Sequence, residues 1–297
     1  MTTLIRRGLT FLGHQSIATN VGFVIVAFWI LIAVFAPVIS PSDPLRQSTN
    51  LLQSPSTSHL MGTDELGRDV LSRLIYGSRI TLPYASAVVL ISAIIGAFLG
   101  GMAGYFGGLV EGAIMRLADL IFAFPAIVLA MAVTAALGPG LLHALEAIAI
   151  VSWPTYARVT RSLVITAIQS EYVAASRLLG ASSVKVLVRD VAPNTLGPII
   201  VLATLGMSHA LLLLASLSFL GLGAQPPQAE WGLMISSGIT AFDKPWLSVF
   251  PGIAIFSAAA AFNLLGDGVG RALSPRTDQL RAARNIPITL ASEATAE

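Results

Sequence analysis

The chain has 297 residues, of which 55% are hydrophobic and only 11% charged, with a formal net charge of +2 and a mean hydropathy of +0.80. It is too oily for a water-soluble domain and too sparsely charged to offer nucleic acid a basic surface, which predicts an all-α, polytopic membrane protein. The absence of cysteine excludes disulfides and thiolate chemistry, and His14, His59, His143 and His209 lack the HExxH spacing of a zinc site. The only two lysines follow Val184 and Asp243, so the chain has no Gly-Lys-Ser/Thr phosphate loop, and any ATP that powers it binds another subunit.

Arg6-Arg7 precedes a charge-free stretch from Gly8 to Ser42, oiliest over Val21–Ile39. A twin-arginine export signal looks superficially similar, but this stretch is long enough to span a bilayer and Ala36-Pro37 is a poor cleavage site. The reading is an uncleaved first transmembrane helix with its N-terminus inside. A polar loop from Pro41 to Arg79 follows, in which Gly62-Thr63-Asp64 and Gly67-Arg68-Asp69 have the composition of turns, with an Asp placed to cap the next helix. Ile80 to Val110 is the second helix, and its Gly96, Gly100 and Gly104 form tandem GxxxG steps that let backbones approach closely. The third helix is expected over Leu109–Leu137 with Pro125 inside it, Gly138-Pro139-Gly140 is a turn, and Leu141–Leu163 is the fourth, with His143 and Glu146 near its outer end and Trp153-Pro154 mid-way. Leu196–Leu222 is the fifth helix, with His209 at mid-depth. Trp231 and Trp246 read as interface anchors in an outer loop, and Leu247–Leu265 is the sixth. Together these give six transmembrane helices with both termini cytoplasmic. Residues 1–80 are an anchor helix plus outer loop, 81–276 a five-helix core, and 277–297 a polar, Ala-rich cytoplasmic tail expected to fray. This orientation places twelve of the 17 Lys and Arg residues inside and five outside, as the positive-inside rule requires.

Between the fourth and fifth helices, residues 164–195 form a charged interlude in this oily chain. Glu171 to Leu179 contains good helix formers, and Gly180 supplies a stop. Ala181-Ser182-Ser183 supplies a cap for a second short helix through Arg189, which Pro193-Asn194 is expected to end. The pattern is two short helices at an elbow on the membrane surface.

The spaced set Glu171, Tyr172, Val173, Ala175, Arg177, Gly180, Ala181, Ser182, Arg189, Pro193 and Asn194 resembles the cytoplasmic coupling loop of binding-protein-dependent ABC importer permeases. Two positions depart from the usual form: Ser176 stands where a second alanine is common, and Asp190 where a histidine is common. The block Gly62, Thr63, Asp64, Gly67, Arg68 and Asp69 looks like that of the dipeptide, oligopeptide and nickel branch, as do Ser218–Gly232 and Phe262–Gly268, so that the resemblance covers about residues 17–276. It implies a transport subunit that binds no cofactor of its own. Its partners would be a second, non-identical permease, two ATP-binding subunits that carry ATP and Mg, an extracytoplasmic substrate-binding protein and the bilayer. It further implies that Glu171 and Tyr172 contact an ATPase subunit, that Gly180 permits the elbow, and that short peptides or a related small solute are carried. His209 and Glu146 are candidate pathway residues, although a lone histidine at such depth is more often a packing residue. The competing reading, an ion-driven secondary transporter, predicts paired intramembrane carboxylates or inverted repeats, which the sequence does not display. An intramembrane enzyme would need a converging serine, histidine and acid set, also missing from the apolar stretches.

Overall fold

The computed structural model describes residues 17–182 and 185–273. Among these residues there is no β-strand, only an isolated bridge between Thr63 and Asp69. The helices in chain order are α1 (Ile17–Ile39), α2 (Val70–Phe106), α3 (Gly108–Phe122), α4 (Ala126–Leu137), α5 (Leu141–Ile168), α6 (Glu171–Leu178), α7 (Ala192–Phe219), α8 (Trp231–Ile239) and α9 (Trp246–Leu273). A π-helical stretch, Val186–Val191, leads directly into α7. The cytoplasmic tail expected over 277–297, together with Arg6, Arg7 and His14, lies outside the described residues.

By length and apolarity α1, α2, Arg189–Phe219 and α9 can each cross a membrane, and the bent pair α3–α4 makes five if it counts as one span. The 28-residue α5 is not among them, because His143, Glu146, Arg158 and Arg161 dilute its apolarity. The third helix departs most from the sequence expectation. It is broken, with its halves at 93°, and Pro125 (φ −56°, ψ 129°) stands at the start of α4 instead of inside one helix. Proline has no N–H to continue α3 and holds the preceding residue out of the α region. The last turn of α3 accordingly closes with Phe124 N–H donating to Ile121 O, and α4 restarts with Leu129 N–H donating to Pro125 O. Pro154 stays within an unbroken, buried run of α5.

The spine of the fold is α2 packed on α5. A Cβ at Gly100 would collide with the carbonyl oxygen of Ala157 and lie 2.8 Å from its Cα, and one at Gly104 would lie 2.8 Å from Arg161 O. The glycine steps thus set the two backbones in direct contact, where dispersion contacts and not hydrophobicity hold helices together in lipid. α3 is fastened to α5 by polar groups: Arg161 pairs with Glu111, and Arg158 with Asp119 at 2.5 Å while lying 4.2 Å over the Phe122 ring. The first helix packs on α9 through Gly22 and Gly268, with Trp29 Nε1 donating to Ser257 Oγ (3.0 Å) and Arg271 donating to Thr19 Oγ1 (2.8 Å).

The loop between α7 and α9 contains the helix α8, which hydropathy did not foretell. Trp231 is fully buried, its ring edge-on to Trp29 at 4.8 Å and its Nε1 donating to Leu74 O (3.0 Å). It is therefore an interior residue and not an interface anchor, as an indole does when its N–H finds a partner. Glu230 beside it is also fully buried. It accepts from Leu233 N–H (2.9 Å) as the N-cap of α8 and from Thr81 Oγ1 (3.2 Å). Burial pushes its carboxyl above the usual carboxylate range, opposed by the N–H groups of Gly232 and Leu233 and the hydroxyls of Ser218 and Thr81.

Candidate functional site

Where α5 ends, the Ser170 N–H donates to Ala167 O and the chain turns into α6. Val173 is the inward residue of this short helix and is fully buried, as are Val186 and Val191 from the π-helical stretch, beside Val164 of α5. Tyr105, Ala167, Ile168 and Ala181 close around them. Eight residues of helix cannot hold themselves together in water. This small apolar cluster packs the elbow against the end of α5, and the π-helical stretch joins it to α7. Gly180, at φ +81°, reverses the chain with nothing within 4 Å of a Cβ position, so its glycine serves backbone conformation and not space. Ala181 N–H then donates to Ser176 O in the pattern of a glycine helix stop, and Ser182 Oγ accepts from Lys185 N–H (3.4 Å) to begin the next turn.

Pro193-Asn194 does not end the second element as expected. Pro193 falls in the first turn of α7, where a missing N–H is tolerated, and the π-helical stretch joins the elbow to α7 without a break. Asn194 Nδ2 donates to Asp190 O (2.7 Å) and reaches Tyr172 Oη at 3.4 Å, tying α6 to α7. Of the remaining loop residues, Glu171, Ala175, Ser182, Arg189 and Pro193 are exposed, while the side chain of Arg177 lies outside the described residues. Glu171 has no ion-pair partner among the described residues. The tip of the elbow presents Leu178 at 89% and Leu179 at 88% exposure, with Tyr172 at 45%.

The block from Gly62 to Asp69 forms a polar clamp. Thr63 Oγ1 donates to Asn50 O and accepts from Gln53 N–H. Asp64 Oδ1 accepts the N–H groups of Leu66 and Arg68, and its Oδ2 takes Arg68 Nε at 2.7 Å with Arg73 Nε at 3.5 Å. Gly62 and Gly67 offer their carbonyls to Val70 N–H and Ser48 Oγ. Asp69 caps α2, accepting the N–H and hydroxyl of Ser72 (2.8 and 2.7 Å), and bonds His59 Nδ1 at 3.0 Å. Arg73 reaches across to the carbonyls of Pro227 and Gln228, and Thr240 donates to Glu65, so the clamp holds the α7–α9 loop against the start of α2. Asp69→Ala is expected to lower unfolding stability by about 2 kcal/mol, the upper end for a lost cap because the site is buried, measurable as a lower midpoint in a detergent thermal-shift assay.

The two candidate pathway residues separate. His209 is exposed on α7 and lines a cavity of about 350 Å³ bounded by α2, the α3–α4 bend, α5 and α7. Glu146, exposed on α5, is not part of its wall.

Residues 96–279 match the family described as the binding-protein-dependent transport system inner membrane component. The dipeptide transport system permease protein DppC of Alkalihalophilus pseudofirmus is 43% identical over 86% of this chain and 85% of its own length. The di/tripeptide transport system permease protein DppC of Pseudomonas aeruginosa is 43% identical over 88% and 90%, and the dipeptide permease DppC of Escherichia coli 45% identical over 87% and 89%. The chain belongs to this family. The permease is a component of ABC importers and not an enzyme, ATP being hydrolysed by separate subunits. Two features of its site escape the hydropathy pattern: the valine cluster under the elbow, whose members are spread from Val164 to Val191, and the hydroxyls of Ser92 and Tyr156 in the cavity wall.

Proposed function

We propose that this permease is one of two non-identical membrane subunits of an ATP-driven importer of short peptides, working with two ATP-binding subunits and an extracytoplasmic substrate-binding protein in a bacterial plasma membrane. The names of the relatives, which specify dipeptides, di/tripeptides and D,D-dipeptides, support the substrate class. In this reading α1, α2, the α3–α4 pair, α5, α7 and α9 are six crossings with both termini cytoplasmic, and the excess of Lys and Arg on that side supports the orientation.

The observation that carries the reading is the elbow: an exposed leucine tip on a helix fixed by its own apolar core to the ends of two long helices. Such a body transmits a push where a floppy loop would absorb it. An ATPase pair closing on ATP would move α6, and α6 would carry the inner ends of α5 and α7 with it, opening the path to the loaded binding protein. One chain presents one elbow, so a two-ATPase motor needs a second permease.

Affinity purification of the tagged permease from membranes expressing its genomic neighbours tests this. The expected result is co-elution of a second permease and ATP-binding subunits, with binding-protein-dependent dipeptide uptake into proteoliposomes that requires ATP. A permease that purifies without any ATP-binding subunit and takes up peptide on a proton or sodium gradient would overturn it.

A further inference from the structure

The cavity at the α3–α4 bend has walls that are mostly apolar and a volume at the small end of the range for ligand pockets. Its polar groups are Ser92 of α2, Ser152, Thr155 and Tyr156 of α5, and His209 of α7. The helical hydroxyls of this protein usually return to the carbonyl one turn back: Ser86 donates to Leu82 O, Thr134 to Ala130 O, Ser216 to Leu212 O and Ser237 to Leu233 O. Ser92 does not. It is fully buried, lines the cavity, and its Oγ has no hydrogen-bond partner. A buried hydroxyl without a partner is uncommon and calls for a cause.

The neighbouring groups supply one. Tyr156 is 4% exposed, and its hydroxyl makes no hydrogen bond among the described residues. A Cβ at Gly206 would collide with this Tyr156 Oη, so the glycine on α7 gives the phenol its place. Gly206 and His209 are three residues apart on one helix, hence on one face. Ser92 lies one turn before Gly96, whose Cβ position is 2.5 Å from Tyr156 Cβ, and the serine and the tyrosine line the same cavity. A hydroxyl from α2, a phenol from α5 and an imidazole from α7 thus converge on one space, and no Asp or Glu lines it. Every one of these groups can donate a hydrogen bond, since even a neutral imidazole keeps one N–H. The set suits a ligand rich in acceptor oxygens and lacking a need for an anionic partner at that end.

We propose that this cavity is a peptide subsite on the crossing path, in which Ser92, Tyr156 and His209 donate hydrogen bonds to the carbonyl and terminal carboxylate oxygens of a short peptide. The proposal rests on the importer reading above. A peptide that leaves water for an apolar passage must find partners for its carbonyls, and three donors in an oily wall provide them. Tyr156 rides on α5 and His209 on α7, the two helices to which the elbow is fixed. Movement of the elbow would therefore change the spacing of the donors, which holds the peptide in one state and releases it in the next.

The test uses the assembled transporter, with both permeases, the ATPases and the binding protein, in proteoliposomes given radiolabelled alanyl-alanine. The readout is peptide delivered per ATP hydrolysed. Ser92→Ala, Tyr156→Phe and His209→Leu are each expected to lower this ratio about three- to tenfold, the effect of one lost hydrogen bond, while binding-protein-stimulated ATP hydrolysis is unchanged. His209→Gln, which keeps a donor, is expected to retain most of the ratio. Wild-type ratios in the variant lacking all three donors would overturn the subsite, and so would a loss of ATP hydrolysis in parallel with transport, which identifies these residues as packing groups. If the wild-type assembly itself neither hydrolyses ATP nor moves peptide, the importer reading fails instead.

Discussion

Gly100→Leu is expected to abolish accumulation of the folded permease. The Cβ position at Gly100 collides with the Ala157 carbonyl oxygen and lies 2.9 Å from its carbonyl carbon, so the obstacle is backbone and cannot rotate aside. α2 and α5 would have to separate along the main helix pair of the fold, displacing Gly96 from Trp153 and Gly104 from Arg161 on the same seam. Overpacking in a core commonly costs about 1–3 kcal/mol; a backbone clash at the centre of three glycine contacts belongs above that range. Gly101→Leu is the control, because nothing lies within 4 Å of its Cβ position. Fluorescence-detected size-exclusion of detergent extracts should show a monodisperse peak for Gly101→Leu and none for Gly100→Leu. Equal peaks would mean that the glycine seam does not hold the helices together.

The second large effect is expected at the elbow. Leu178→Asp combined with Leu179→Asp should leave the permease folded, since both side chains are almost fully exposed and neither belongs to the valine cluster beneath. Yet burying a leucine at an interface contributes about 1.5–3 kcal/mol, so two charged replacements are expected to reduce peptide-stimulated ATP hydrolysis at least tenfold, by roughly the exponential of that energy. Glu171→Ala should act in the same direction. The carboxylate has no ion-pair partner among the described residues, and loss of a desolvated charge pair with an ATPase subunit costs about 2–5 kcal/mol, against at most about 1 kcal/mol if it only balances its own helix dipole. Preserved stimulation in both variants would remove the leucine tip and Glu171 from the coupling contact.

Local pattern made some of this visible in the sequence. Gly96, Gly100 and Gly104 recur at helical spacing, and a close helix seam follows from that period alone; the neighbour they touch, α5, does not. The elbow shows as a break in composition, with Gly180 at its corner. Pro193 misleads because proline stops a helix from within but is tolerated in its first turn, and the deciding factor, the π-helical stretch before it, depends on Val186 and Val191 reaching the valines of α5 and α6. Pro125 is ambiguous in the same way: the residue type allows a kink or a corner, and the polar pairing of Glu111 and Asp119 with α5 goes with the corner. Trp231 reads as an interface residue until Trp29, some two hundred positions earlier, is brought against it. The cavity is the least legible feature, since Ser92, Tyr156 and His209 come from three helices and no spacing connects them.

The most direct test of the coupling role uses the absence of cysteine in the chain. A single Leu179→Cys supplies a unique thiol at the elbow tip, and Leu60→Cys supplies one beside the clamp that begins at Gly62, where Leu60 is 64% exposed. Each is labelled with a benzophenone maleimide in membranes containing the whole transporter and then irradiated. The expected result is a cross-linked product between Leu179→Cys and an ATP-binding subunit, and none from Leu60→Cys. Efficient labelling of Leu179→Cys without such a product, or an ATPase adduct from Leu60→Cys, would contradict it.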